Sequence, residues 1–178
     1  MLQRLRLAGL KLKPTKCRLF QERVTFLGHL ISSWGIEADP EKVSCIVTWP
    51  EPRSLTEVRS FLGLASYYKN FVEGFGEAAR PLYELRRKNV SFEWNDRHCQ
   101  AFETLKARLC STPVLAAPTA EGDFVLDVDA STFGAESILH QYQAGVLRVI
   151  CYASRQFNNV SRPCSPEGAC GAVKVTCF

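Results

Sequence analysis

The stretch "STPVLAAPTAEGD", residues 111–123, separates two periodicities that no single element can satisfy. Before it, apolar residues recur every three or four positions, as on one face of a helix. After it, "FVLDVDAS", "GAESILHQ" and "VLRVICYAS" are short extended blocks bounded by turn residues. Side chains repeat every 3.6 residues on a helix and every two on a strand. The chain is therefore expected to join a helical part to a sheet part, an α+β architecture.

Start and stop signals place the elements of the first part. "LQRLRLAGLKLKP" reads as the end of an amphipathic helix capped by Gly9, followed by extension. "RVTFLGHLISSWGIE" reads as a hairpin with Gly35 at the turn, and Val24, Phe26 and His29 to Ile31 are expected to lie against other structure. Asp39 and Pro40 open a short helix that Pro50 and Pro52 end. Ser54 and Glu57 form a capping box for the next, whose Leu55, Val58, Leu62 and Ala65 share a face. "EAARPLYELRRK" gives a further helix, starting anew at Pro81, and "NDRHCQAFETLKARLCSTP" gives one capped by Asn95 and stopped before Pro113. "VSFEWN" between them looks extended.

The chain has 178 residues, enough to bury a sizeable core, and shows no internal repeat or low-complexity segment. Its net charge of +4 is unevenly placed: Arg4, Arg6, Lys11, Lys13, Lys16, Arg18 and Arg23 make the first 38 residues basic. That end suits phosphates, although a solvated helix face accounts for the charge equally well. None of the eight cysteines forms a Cys-x-x-Cys pair and no signal peptide precedes them, so they read as reduced thiols of a cytoplasmic or nuclear chain, not a secreted one. The three histidines lie too far apart to give a metal-ligand spacing. No apolar run approaches the roughly 20 residues of a membrane span.

"GLKLKPTKCRLFQERVTFLGHLIS" followed by "GIEADPEKVSCIVTWPEP" resembles the end of the palm and the start of the thumb in reverse transcriptases of gypsy-type LTR retrotransposon Pol polyproteins. "SLTEVRSFLGLASYYKNFVEGFGEAARPLYEL" and "FEWNDRHCQAFETLKARLCSTPVLAAP" resemble that family's thumb and linker, and "FVLDVDASTFGAESILHQ" its first ribonuclease H strands. The resemblance implies a palm end over 1–38, thumb and linker helices over 39–112, and the N-terminal half of a ribonuclease H-like α/β domain over 113–178.

Several expectations about sites follow from this resemblance. "FLGHL", Phe26 to Leu30, falls in the hairpin with which the family positions a primer end, making Phe26, Leu27 and Gly28 candidate nucleic-acid contacts, and Arg86, Arg87 and Lys88 are candidate phosphate contacts, with an exposed helix end as the plainer reading. Tyr67 and Tyr68 either stack on nucleic acid or pack between helices. Asp129 matches the first metal ligand of a ribonuclease H site, with Asp127 on the same strand face. A second carboxylate is expected on a helix around "SPEGACGAVKVTCF", where Gly168 stands at the acid's place and Glu167 one residue earlier. Glu136 departs from the small residue the family usually has there.

The implied cofactor is Mg²⁺ or Mn²⁺, which two-metal phosphoryl chemistry holds on several carboxylates. With no Tyr-x-Asp-Asp type motif and a depleted ligand set, the chain is expected to be incomplete for both polymerase and hybrid cleavage. The implied partners are RNA–DNA hybrid or DNA duplex, and the remaining palm and ribonuclease H segments of a longer polyprotein. The alternative reading is a non-catalytic nucleic-acid-binding or interaction module used by a host.

Overall fold

The computed structural model describes residues 2–87, 91–131 and 134–157, and the backbone of 173–177. The first helix, α1 (Leu2–Leu7), ends as the sequence implies. Gly9 takes a left-handed φ of 67°. The Leu10 and Gly9 N–H groups return to the Leu5 and Arg6 carbonyls, pairing acceptors that the helix end leaves open.

Three short strands follow, β1 (Arg23–Phe26), β2 (His29–Ser32) and β3 (Gly35–Ala38), in an antiparallel meander. Two turns are present where one was expected: Leu27-Gly28 joins β1 to β2, and Ser33-Trp34 joins β2 to β3. Gly35 is thus a strand residue. Its lack of a side chain matters because the linker passes over it: a Cβ there would sit 2.2 Å from the Leu115 carbonyl oxygen. Ile36 and Leu115 exchange backbone hydrogen bonds of 2.7 and 2.9 Å. Val24, Phe26 and Ile31 do not lie against other structure; all three are exposed, while His29 and Leu30 are half-buried. Alternation marks a face without saying what covers it, and the helical core reaches this sheet through Ile36 and Ala38 of β3.

The core belongs to four helices, α2 (Pro40–Val47), α3 (Leu55–Tyr67), α4 (Phe75–Glu84) and α5 (Asp96–Cys110). Asp39 caps α2 by accepting the Glu41 N–H. Ser54 caps α3 by accepting that of Glu57, whose own carboxylate accepts the Arg53 N–H. Asn95 and His98 cap α5 reciprocally. The face expected of α3 is buried as Val58, Phe61, Leu62 and Ala65, and Phe61 meets Phe102 of α5 at 4.6 Å between ring centroids. Each such large side chain, fully withdrawn from water, stabilises the fold by about 1.5–3 kcal/mol. Helix α4 does not restart at Pro81. It begins at Phe75 and carries the proline inside, so the Glu77 carbonyl loses its intrahelical donor.

The second sheet contains β4 (Phe124–Ala130), β5 (Gly134–Gln143), β6 (Val146–Gln156) and β7 (Val173–Cys177), ordered β6-β5-β4-β7 and antiparallel throughout. Residues 173–177 were expected in a helix. Their Val-Lys-Val-Thr-Cys sequence is instead rich in β-branched residues, and it pairs along the edge of β4 that β5 leaves open. The linker ties this sheet to the rest: Ala116 donates to the Val149 carbonyl at 2.8 Å, and Val149 and Tyr152 of β6 pack on the helical core.

Candidate nucleic-acid interface and acidic site

Strand β4 carries Asp127 and Asp129 on one face, two residues apart, with different surroundings. Asp127 is half-buried, and its Oδ2 lies 3.3 Å from Nδ1 of His140 on β5. Asp129 is exposed and stands directly opposite Glu136 in the β4–β5 register. Both line a cavity of about 340 Å³ whose other walls include Glu77 and Arg80 of α4 and Ser154 of β6. The acid expected to be first in a metal site thus opens toward the start of α4.

The start of α4 explains Glu136. Its N-cap is Gly74, at φ 65°, which offers no side chain to the first N–H groups. The sheet supplies a partner: Ser154 Oγ accepts the Gly76 N–H at 2.9 Å, and the Glu136 carboxylate faces the Glu77 N–H, which favours its charge. Gln156 Nε2 donates to the Gly76 carbonyl at 2.7 Å. Arg108 of α5, bonded to the Glu73 carbonyl at 2.7 Å, adds positive charge near Glu136. Burial, then the Glu77 charge, pushes the Glu136 carboxyl above the usual carboxylate range, against the pull of the Glu77 N–H and Arg108. The acid on this central strand faces a helix start on another element.

Two-metal chemistry needs several carboxylates converging on the ions. Glu136 faces the start of α4, and among the described residues no three His, Cys, Asp or Glu side chains are grouped to hold a metal. Glu167 and Gly168 lie outside the described residues. The described acids therefore do not fit a two-ion site, and no hydrolytic step is derived from them.

The Leu27-Gly28 turn has a firmer geometry. Phe26 and Leu27 are 59% and 72% exposed, while the backbone beneath them is held from α3. Tyr67 Oη donates to the Leu27 carbonyl, and Tyr68 Oη donates to that of Gly28 at 2.9 Å. The Asp39 N–H reaches the same Gly28 oxygen at 3.1 Å. Burial pushes the Tyr68 phenol up to about 12, with the Asp39 and Tyr67 charges adding to the effect. Arg86 and Arg87 are exposed just beyond α4, with Arg86 lying 5.5 Å over the Tyr83 ring. Lys88 lies outside the described residues.

Sequence reasoning missed both sets of tertiary hydrogen bonds. One signal was present for each: "GFGEAARPL" has no Ser, Thr, Asp or Asn at the helix start, so a cap had to come from elsewhere, and "SYY" ends a helix with two phenols close together.

Residues 94–170 match the family described as the RNase H-like domain found in reverse transcriptase. An uncharacterized mitochondrial protein of Arabidopsis thaliana is 44% identical over 115 residues, 64% of this chain and 72% of that protein. The retrovirus-related Pol polyprotein from transposon 412 of Drosophila melanogaster is 36% identical over 149 residues, 84% of this chain and 12% of the polyprotein. The foamy viral protease-reverse transcriptase in complex with RNA/DNA hybrid superposes with a TM-score of 0.69 at 30% identity, over 83% of this chain and 20% of that one. The chain spans about an eighth of the transposon polyprotein it matches. Helical and sheet parts are covered together, in the order that the motifs imply, and the chain belongs to the retrovirus-related Pol polyproteins of transposons, as a reverse-transcriptase segment with an RNase H-like domain.

Proposed function

We propose that this segment binds and positions RNA–DNA hybrid or DNA duplex for a reverse transcriptase, with the Phe26-Leu27-Gly28 turn against a strand end and Arg86 and Arg87 near the backbone phosphates. The observation that carries the reading is the turn itself. Two apolar side chains stand in solvent on a backbone fixed by four hydrogen bonds to its carbonyls, an arrangement suited to contact with a partner and not to core packing. Basic residues in the first 38 positions add sequence-independent attraction to phosphate. The structural relative in complex with RNA/DNA hybrid supports the same substrate class.

Reverse-transcriptase RNase H-like domains use divalent metals. Asp129 is the acid this chain offers in that role, and the reading assigns binding to the described residues, not cleavage. Fluorescence anisotropy with a labelled hybrid tests it: affinity should fall linearly in log–log form as salt rises, and Phe26→Ala should weaken binding. Absence of binding at low salt overturns the reading. In a parallel assay with Mg²⁺ or Mn²⁺, hybrid cleavage that disappears in Asp129→Asn would show that the acids outside the described residues complete a working site.

A further inference from the structure

Leu27 carries its exposed side chain at φ 48°, a left-handed conformation that crowds the Cβ of a non-glycine residue. Gly28 follows at φ 71°, so the two residues make the doubly left-handed turn that closes a tight hairpin. Such a conformation persists where its surroundings over-determine it. Here two side chains at the C-terminal end of α3 do so, beside the Asp39 N–H on the Gly28 carbonyl and the His29 ring 3.1 Å from that of Leu27. Tyr68 is 1% exposed, fixed by packing, and its hydroxyl meets the Gly28 carbonyl; Tyr67 is 51% exposed, and its hydroxyl meets the Leu27 carbonyl. The His29 ring lies edge-on to Tyr67 at 5.3 Å and to Phe71 at 5.4 Å, which closes the base of the turn. The tyrosines approach so closely that a Cβ on Gly28 would stand 3.2 Å from Tyr68 Oη and 3.3 Å from Tyr67 Cε1.

We infer that Tyr67 and Tyr68 are positioning residues for the nucleic-acid end that the Leu27-Gly28 turn meets, acting through the two turn carbonyls. This rests on the function proposed above and adds the device that sets the height and direction of the turn. Both hydroxyls are attached to one helix, so the turn moves as a body with α3. A strand end resting on Phe26 and Leu27 is then registered against the helical unit instead of against a freely hinged hairpin.

Two hybrids test this in the full chain: one with an open end bearing 2-aminopurine as the 3′-terminal DNA nucleotide, and one with both ends closed by loops. Tyr68→Phe and Tyr67→Phe keep the rings and remove the hydroxyls. Each should weaken binding to the open-ended hybrid about fivefold, the worth of one hydrogen bond, and change the terminal 2-aminopurine signal at saturation. Binding to the closed hybrid should stay at the wild-type value, a split that a general loss of stability does not produce. Wild-type affinity ratio and wild-type terminal signal in both variants would overturn the inference and leave the functional reading standing. Failure of the wild-type chain to bind either hybrid at low salt would overturn the functional reading and the positioning role with it.

Discussion

Glu136 on β5 faces the backbone N–H of Glu77, its Oε2 3.6 Å from where a Cβ on Gly74 would stand, so an acid on a central strand lies against the start of α4, a helix that has no capping side chain of its own. The carboxylate is held there at an electrostatic cost, because burial, Glu77 and Asp129 all disfavour its charge. A carboxyl whose folded-state pKa is raised contributes stability fully below its ordinary value of 4.5 and loses it as pH rises through the higher folded value. Urea unfolding of the wild-type chain should therefore show a declining contribution from this group above pH 4.5. Glu136→Gln keeps an oxygen acceptor for the Glu77 N–H and has no charge, so it should abolish that part of the pH dependence and match or exceed wild-type stability at pH 7. Glu136→Leu removes the charge together with the polar tip and should abolish the same part of the pH dependence.

Ser154 makes the companion contact, and its loss has no electrostatic compensation. Ser154→Ala leaves the Gly76 N–H without its acceptor and is expected to destabilise the chain by about 0.5–2 kcal/mol, as a lost N-cap does. The urea midpoint should fall with the slope unchanged, because the surface exposed on unfolding is the same. Backbone amide exchange at the start of α4 should rise more than exchange in α5, whose cap from Asn95 and His98 is local and untouched.

The contrast between these two helices shows what the sequence could reveal. Asn95 and His98 are three residues apart, and Asp39 immediately precedes Pro40, so those helix starts are legible from neighbours in the chain. The cap of α4 comes from Ser154, with Glu136 and Gln156 beside it, some 60 to 80 residues away, and only the fold brings them there. The same distinction separates Asp129 from its surroundings. Its strand and the shared face with Asp127 follow from a two-residue period, whereas the pairing of Asp127 with His140 and the opening of Asp129 toward α4 depend on register and on packing between units. Motif resemblance identified the family and the order of its parts. It could not show that Glu136 had been recruited to a helix.

Gln141 is a further residue whose importance is tertiary. It is fully buried on β5; its Oε1 accepts the Thr119 N–H at 2.9 Å, and its Nε2 donates to the carbonyls of Thr119, Glu121 and Gly122 at 3.0 to 3.1 Å. One amide thus fastens the stretch of linker before β4. Gln141→Leu, similar in size, would remove the hydrogen bonds that hold the linker to β5 and should cost about 1–3 kcal/mol in urea unfolding. Gln141→Glu tests the same contact by polarity, since a carboxylate keeps the bond from Thr119 but faces three carbonyl oxygens. It should be at least as damaging at pH 7 and partly recover in acid, where the protonated group can donate one bond again.

Gly35 decides whether the linker can lie against β3. At φ 140° it already occupies backbone space that favours glycine, and the Leu115 carbonyl oxygen would be 2.2 Å from an added Cβ, with Val114 Cγ1 at 3.0 Å. The obstruction is backbone and cannot rotate away, so Gly35→Ala must displace the linker or distort β3. Either movement breaks the paired bonds between Ile36 and Leu115, which join the first sheet to the segment that continues to β6 through Ala116. The expected loss is about 2–4 kcal/mol, read as a lower urea midpoint. Because Ala38 and Ile36 are β3's links to the helical core, the variant should also raise amide exchange in β2 and β3 before it raises exchange in α3 and α5. Gly9→Ala provides the comparison: it too has a positive φ, but nothing lies within 4 Å of its added Cβ, so its cost should be limited to backbone conformation, about 1 kcal/mol, and confined to the end of α1.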